Sequence, residues 1–260
     1  MKIVIISQRA PLYLPYFLDR VCGRIKEEGI ELSALVLMSP YTKNNLWLEL
    51  KQRIGFYGFS SFIKLSCLIL KNKLRSKIFN GSGECFSIEN VLQKHNVTEL
   101  KTDKVNDSNF HQKLKELDTD VIVSIACPQI FKEGILSVPK LKAINYHTAK
   151  LPKYRGRQPL FWALYHDEPA SGVTVHEMDV KIDNGAIVSQ RDYSIDPNDT
   201  IDTLYYKSMK VGEDCLVEAL TKLKNGDTSR IENDASQSSY YSFPKAEDAK
   251  RFREKGKRFI

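Results

Sequence analysis

The residues whose types and spacing could do chemistry begin with an amide and an imidazole. Asn145 and His147 lie two positions apart at the end of the short apolar segment 143–147, and the chain breaks soon afterwards at Pro152. Side chains two residues apart on a strand project to the same side of the sheet. We therefore expect a site on that side, at the end of this segment.

A carboxylate, Asp183, lies in a later polar loop and completes a trio that suits acyl transfer to an amine. The Asn145 amide can donate to a carbonyl oxygen that becomes an oxyanion, and losing such a donor costs roughly 2.7 to 4 kcal/mol. The His147 imidazole can carry a proton or act as an electrophile, usually worth about 10² to 10⁴ in rate. Asp183 can orient the imidazole and help to accept the proton that the attacking amine loses. Residues of these types more often hydrogen-bond locally, so spacing alone leaves both interpretations open.

The elements that must position these residues alternate between strands and helices. A β-branched run at 2–7 predicts a buried strand, and apolar residues at helical spacing over 14–28 predict a helix that ends at Gly29. Further predictions are a strand at 30–38, a helix at 87–95 with Ser87 as N-cap, a strand at 99–101, a helix at 109–117, strands at 121–126, 172–178 and 186–189, and helices at 161–165 and 199–224. This pattern predicts an α/β fold with a doubly wound, mostly parallel sheet and helices on both faces. Such sheets bind ligands beyond the carboxyl ends of their strands.

Length and composition favour a globular chain with a large core. The 260 residues are 42% hydrophobic and 27% charged. There is no run of eighteen uncharged apolar residues and no signal-peptide pattern, which favours a cytoplasmic location. The five cysteines are scattered without a C-x-x-C pair, which argues against a disulfide framework or a structural zinc site.

The net charge of +7 is concentrated in one segment, 42–81, which carries eight basic residues and one acidic residue. The rest of the chain is balanced, so a general nucleic-acid surface is not indicated. The stretches 46–54 and 62–78 are amphipathic. The favoured interpretation is a pair of helices that lie on the sheet with a solvated basic face. The alternative is contact with phosphates, an acidic partner or a membrane surface.

The order and context of the motifs sharpen the interpretation of the trio. Asn145-x-His147 is followed by Leu151-Pro152-x-Tyr154-Arg155-Gly156, then by Gly172-Val173-Thr174-Val175-His176-x-Met178-Asp179, then by Ile182-Asp183-Asn184-Gly185. This succession closely resembles the formyltransferase family, which includes glycinamide ribonucleotide, methionyl-tRNA and sugar N-formyltransferases. The resemblance covers most of 87–195, and Asn145, His147 and Asp183 match the catalytic residues of the family.

The resemblance implies a Rossmann-like domain that uses 10-formyltetrahydrofolate as co-substrate. In the family, the edge of the pterin ring is contacted largely by main-chain groups of the folate pocket. The resemblance places this pocket at two segments, Pro128, Gln129, Ile130 and Phe131, and Met178, Asp179, Val180, Lys181 and Ile182. We expect domain boundaries at 1–195 for the catalytic domain, with a basic helical insertion at 42–82. A C-terminal helix and tail, 196–260, should pack on the same domain.

Departures from the family pattern concern the acceptor rather than the chemistry. Thr148, Lys150 and Arg157 differ from the usual residues after the histidine, and Lys150 and Arg155 are candidates for contact with an acceptor phosphate. Lys150 could instead merely face solvent, and Arg155 could instead anchor a loop. His176, within a strand, is interpreted as structural.

The C-terminal RNA-binding domain of the methionyl-tRNA enzymes is not found, which argues against a tRNA acceptor. The leading prediction is formyl transfer to the primary amine of a small molecule, a nucleotide-linked aminosugar, by a chain that could form a homodimer. The alternatives are a methionyl-tRNA-type or glycinamide ribonucleotide-type enzyme, a 10-formyltetrahydrofolate hydrolase, and a folate- or nucleotide-binding module without turnover.

Overall fold

The computed structural model of the protein describes residues 1–39, 46–79 and 81–260. Its strands are β1 (Lys2–Gln8), β2 (Glu31–Met38), β3 (Val121–Ile125), β4 (Lys142–His147), β5 (Arg155–Gly156), β6 (Ala170–Glu177), β7 (Ile187–Ser194) and β8 (Tyr240–Tyr241). Its α-helices are α1 (Leu14–Glu27), α2 (Leu46–Tyr57), α3 (Phe59–Lys77), α4 (Ile88–His95), α5 (Ser108–Glu116), α6 (Glu133–Leu136), α7 (Pro159–Tyr165), α8 (Ile201–Lys224) and α9 (Ala246–Glu254). Within the predicted insertion 42–82, positions 42–45 and 80 lie outside the described residues.

The main sheet has the strand order β2-β1-β3-β4-β6-β7. Strands β1 to β4 pair in parallel, whereas β6 and β7 pair antiparallel at one edge. The predicted α/β fold with a mostly parallel sheet is therefore confirmed. The reversal at β6 was not predicted, because the apolar pattern of a buried strand does not reveal its direction.

Alternate residues of β1 pack into cores on opposite faces of the sheet. Ile3 and Ile5 join a cluster with residues of α1, α4 and α8, whereas Val4 and Ile6 join a second cluster with residues of α5 and α6. Helices thus cover both faces, as predicted. Phe110 and Leu114 from α5 and Ile135 from α6 are fully or almost fully buried.

A third, aromatic cluster gathers the C-terminal part of the chain around α7. Phe161 of α7 stacks on Phe252 of α9, with ring centroids 4.7 Å apart, and both contact Phe259. Phe56 at the end of α2 packs into the same cluster. Helix α9 was not predicted, because its stretch is strongly charged and only Ala249 and Phe252 are buried.

Two local predictions have opposite outcomes. Ser87 is the N-cap of α4, where its side chain accepts a hydrogen bond of 3.2 Å from the Asn90 amide, so that prediction is confirmed. The strand predicted at 99–101 is wrong, since only Glu99 forms an isolated bridge, to Leu35. The Thr102 hydroxyl then bonds to the Lys104 carbonyl, and this local turn ends the pairing.

Candidate active site

The pleat of β4 presents Asn145 and His147 on one face of the sheet, as their spacing predicts. Ile144 and Tyr146 belong to the core cluster of the opposite face. On the neighbouring antiparallel strand β6, His176 lies opposite Asn145 in the register. The sheet therefore groups an amide and two imidazoles on one face.

The loop after β6 brings Asp183 to these side chains. Its Oδ1 lies 3.2 Å from Asn145 Nδ2, and its Oδ2 lies 3.8 Å from His147 Nδ1. Oδ2 also accepts a 2.8 Å hydrogen bond from the Gly156 amide. The structure therefore brings together all three residues of the predicted trio, although 38 positions separate Asn145 from Asp183.

The Asp183 carboxyl is held in its charged form. Burial by itself would raise its pKa, but the neighbouring His147 and His176 and the Gly156 amide together lower the pKa well below its ordinary value of 3.8. Its side chain is only 10% exposed. Asp183 is thus a largely buried carboxylate that stays ionised at neutral pH and faces two imidazoles.

His147 is oriented by a main-chain group rather than by the carboxylate alone. Its Nε2–H donates to the Tyr154 carbonyl oxygen at 2.9 Å, and the residue is 6% exposed. Tyr154 has a φ of +60°, in the left-handed region that bulky residues seldom adopt. With Nε2 committed as the donor, the other ring nitrogen, Nδ1, faces Asp183 and can exchange a proton there.

His176, which its place within a strand led us to interpret as structural, belongs to the same network as Asn145 and Asp183. Its Nδ1 lies 2.7 Å from the Glu177 carbonyl oxygen, and its Nε2 lies 3.2 Å from Asn145 Nδ2. Nε2 is also 3.4 Å from Asp183 Oδ1. The sequence offered one signal for this position: His176 lies two residues after Thr174 on a strand, so the two side chains share a face. Only the pairing of β6 with β4 shows that His176 lies opposite Asn145.

Gly156 is required by the local geometry next to Asp183. Its φ is +97°, and a Cβ built there would lie 2.2 Å from the Tyr241 carbonyl oxygen. The close approach comes from the pairing of β5 with β8. A glycine at 156 therefore allows β8 to pack closely against β5 while the Gly156 amide donates to the Asp183 carboxylate.

Arg155 anchors the loop that carries Asp183. The residue is 8% exposed; Nη1 donates to Asn184 Oδ1 at 2.9 Å and Nη2 to Asn233 Oδ1 at 2.8 Å. Asn233 in turn donates to the carbonyl oxygens of Asp183 and Gly185. No local motif marks Asn233, which lies 50 positions after Asp183, so sequence reasoning missed it.

Lys150, the other predicted acceptor contact, lies in a different environment. Its ammonium forms an ion pair with Asp192 of β7, and both side chains are about half exposed. The structure does not bring Lys150 into the Asn145–His147–Asp183 network through any hydrogen bond among the described residues. Its predicted contact with an acceptor phosphate stays a prediction.

The first predicted folate segment follows the carboxyl end of β3. Ile130 is 64% exposed, whereas Phe131 is buried in the core. The Gln129 side chain accepts from the Val105 amide and donates to the Asp103 carbonyl oxygen, which fixes the loop. Pro128, which precedes it, is exposed.

The second predicted folate segment begins at Met178, whose amide donates to the Ala143 carbonyl oxygen of β4 at 2.9 Å. Asp179 closes the loop by accepting hydrogen bonds from the Lys181 amide and from Asn184 Nδ2. Between these fixed points, Val180 and Ile182 are 56% and 42% exposed. The two segments thus present apolar side chains to solvent on a hydrogen-bonded frame.

The chain matches a family of known proteins over its central part. The sequence profile described as "Formyl transferase" matches residues 76–220. The methionyl-tRNA formyltransferase of Staphylococcus aureus (strain JH1) is 34% identical over 161 residues, which is 62% of this chain and 52% of the relative. The chain therefore spans about half the length of the curated relatives it matches.

Solved structures of formyltransferases share the fold. An N-formyltransferase from Helicobacter canadensis, in complex with folinic acid and dTDP-3-aminofucose, superposes with a TM-score of 0.60 at 19% identity, covering 93% of this chain and 71% of the other. The formyltransferase PseJ from Anoxybacillus kamchatkensis, in complex with UDP-4,6-dideoxy-4-formamido-L-AltNAc and tetrahydrofolate, gives 0.50 at 25% identity, covering 63% and 82%. The region that matches the family profile is more than half of the sequence and includes Asn145, His147 and Asp183. The chain therefore belongs to the formyl transferase family.

Proposed function

We propose that the protein transfers a formyl group from 10-formyltetrahydrofolate to the primary amine of a small molecule. The observation that carries the proposal is the contact of one largely enclosed carboxylate with an amide and two imidazoles at the end of β4. Acyl transfer needs an oxyanion donor and a proton carrier close together, and this group of side chains supplies both. Membership of the formyl transferase family supports the formyl group as the acyl unit.

In the proposed reaction the amine nitrogen forms a bond to the formyl carbon, and the bond from that carbon to the folate nitrogen breaks. Asn145 donates its amide N–H to the formyl oxygen as negative charge develops there. A proton on His147 Nδ1 adds to this stabilisation, with Asp183 as its counter-charge at 3.8 Å. His147 Nδ1 gives its proton to the folate nitrogen as that bond breaks, and the neutral imidazole then takes the proton that the amine loses, while Asp183 stays ionised.

The two loops beside the site suit a folate. Ile130, Val180 and Ile182 are exposed apolar side chains that can cover a pterin ring. The loops that hold them are fixed by side-chain hydrogen bonds from Gln129 and Asp179, so main-chain groups of Pro128 to Phe131 and Met178 to Ile182 remain in a defined arrangement. We propose that these segments bind the co-substrate.

The acceptor that we propose is a nucleotide-linked aminosugar. The support is the complex of PseJ, a protein 25% identical to this chain, with a formamido sugar on UDP. The Lys150 ammonium is about half exposed and can exchange Asp192 for a phosphate oxygen. Arg155 uses both terminal nitrogens to hold the Asp183 loop, so we propose that it serves the acceptor site by fixing that loop.

A methionyl-tRNA acceptor is the second candidate. It is favoured by the 34% identity to the curated Staphylococcus aureus methionyl-tRNA formyltransferase, a value higher than that to the sugar enzyme PseJ. The two candidates share the formyl donor and the catalytic trio, and they differ only in the molecule that carries the amine.

The test is a turnover assay of the purified protein with 10-formyltetrahydrofolate and one acceptor at a time. The expected result is tetrahydrofolate release that requires an aminosugar nucleotide and yields its formamide by mass spectrometry. Turnover only with charged initiator tRNA would show that the acceptor is methionyl-tRNA and not an aminosugar nucleotide. Formate release without any amine would make the protein a hydrolase, and tight folate binding without conversion would make it a binding module.

A further inference from the structure

Helix α3 carries a solvent-exposed apolar stripe that the fold does not use. None of its residues is buried. One side is half-buried, but a second row of large side chains points to solvent, with exposed fractions of 70% for Phe59, 45% for Ile63, 57% for Leu70, 58% for Leu74 and 82% for the C-cap residue Ile78. Successive positions are four or seven residues apart, and at 100° per residue they fall within an arc of about 100°.

The segment was interpreted as helices that lie on the sheet with a solvated basic face, and the exposure of this stripe corrects that interpretation, because the solvated face of α3 is apolar as well as basic. The half-buried side of α3 uses other residues, among them Phe62, Leu65 and Ile69. The apolar residues of the stripe therefore do not contribute to the buried core of the described residues. Contiguous exposed apolar patches on a protein surface commonly mark an interaction site.

Basic residues flank the stripe on both sides. In helical projection Lys64, Lys71 and Arg75 lie beside one edge, and Lys73 and Lys77 lie at the other. The sequence contains no acidic residue between Glu49 and Glu84. The surface is thus apolar along its centre and uniformly positive at its edges.

The helix is held in place at both ends, so the stripe is displayed on a fixed support. At the start, Phe56 is buried in the aromatic cluster and its carbonyl oxygen accepts from Arg253 Nη1 at 2.5 Å. At the end, Asn90 Nδ2 donates to the Ser76 carbonyl oxygen at 3.2 Å. The chain bends by 113° between 50–57 and 59–77. Among the described residues, no single helix is long and apolar enough to cross a membrane. The bent pair together reaches the length and apolar composition of a membrane span.

We propose that the exposed face of α3 is a docking surface for an anionic lipid bilayer, on which the helix lies parallel to the membrane plane. An amphipathic helix with large apolar residues in a central stripe and lysines on its flanks matches the interfacial region, where the apolar side chains enter the acyl boundary and the ammonium groups reach the phosphates. A second copy of the chain does not fit as well, because two basic faces would meet. The proposal is independent of the formyl-transfer function.

The first test is co-sedimentation of the whole protein with vesicles. We expect binding to vesicles of equal parts phosphatidylglycerol and phosphatidylcholine, and at least about tenfold weaker binding to phosphatidylcholine alone. Leu74→Glu should weaken binding at least about tenfold, whereas Leu141→Glu, at a 47% exposed position near β4, should leave it within about twofold. The double variant Lys71→Gln/Lys73→Gln should act like Leu74→Glu. Its matched control is Lys113→Gln/Lys115→Gln on α5.

Cys67 provides a direct readout at the stripe itself. All five cysteines lie among the described residues, and Cys67 is the exposed one, on the same arc as the stripe. An environment-sensitive fluorophore attached there should shift its emission to shorter wavelength when anionic vesicles are added.

Three results would overturn the proposal: no binding to the anionic vesicles, binding without a change at Cys67, or equal effects of the α3 variants and their controls. Light scattering adds a fourth outcome. If the protein is a dimer that Leu74→Glu converts to a monomer, the stripe is an interface between copies and the lipid proposal is wrong.

Discussion

Replacing Asp183 with asparagine removes one charge from the centre of the site while its shape is kept. The carboxylate lies 3.8 Å from His147 Nδ1 and its side chain is 10% exposed. At an effective dielectric constant of about 20, two unit charges at this separation interact by about 4 kcal/mol. If the imidazole carries a proton in the transition state, losing this interaction lowers kcat by about 10³-fold. The asparagine oxygen can still accept from the Gly156 amide, so the loop should keep its place.

The assay is steady-state turnover with 10-formyltetrahydrofolate and an acceptor amine, together with a separate measurement of folate binding. We expect Asp183→Asn to lower kcat by about 10³-fold while the Kd for folate changes by less than about threefold. The matched control is Asp167→Asn, the same change at an exposed carboxylate that pairs with Lys255 and Lys257, and it should retain activity within about twofold. A kcat for Asp183→Asn within tenfold of the wild-type value would refute the role of the charge.

Three further predictions concern the same region. His147→Ala should lower turnover by at least about 10²-fold and leave folate binding nearly intact, as measured by kinetics and by calorimetry. Gly156→Ala should lower the free energy of unfolding by about 3 kcal/mol in urea titration, because its Cβ would lie 2.2 Å from the Tyr241 carbonyl oxygen at a φ of +97°, and an unchanged midpoint would contradict this. The pKa of Asp183 is depressed in the folded protein, so its contribution to stability is present above the unfolded value of about 3.9 and is lost as the pH falls toward the folded value. The stability difference between wild type and Asp183→Asn should therefore shrink as the pH is lowered from about 6 to about 3.

Local patterns predicted much of the fold. Buried apolar runs located β1 and β3, and the serine cap located the start of α4. The prediction fails where local and tertiary preferences differ: α9 is a helix held by two buried residues in a charged stretch, and the 99–101 segment forms only a single bridge. Propensity describes a residue and its near neighbours, whereas these outcomes depend on partners far along the chain.

The candidate site divides in the same way. The pleat predicts from sequence alone that Asn145 and His147 share a face, since the side-chain period of a strand is two residues. It does not predict that His176 lies opposite Asn145, because that depends on the antiparallel register of β6 against β4. Nor does it predict that Asn233 holds the Asp183 loop.

The sequence by itself determined the alternation of strands and helices, the chemical groups at the end of β4 and the excess of positive charge between 42 and 81. These properties depend on short-range periodicity and on composition. Only the tertiary structure decided that Asp183 lies between two imidazoles, that Arg155 hydrogen-bonds to the Asp183 loop, and that one side of α3 keeps its apolar stripe in solvent. Each of these depends on which faces pack together, and packing is set by contacts between residues distant in the sequence.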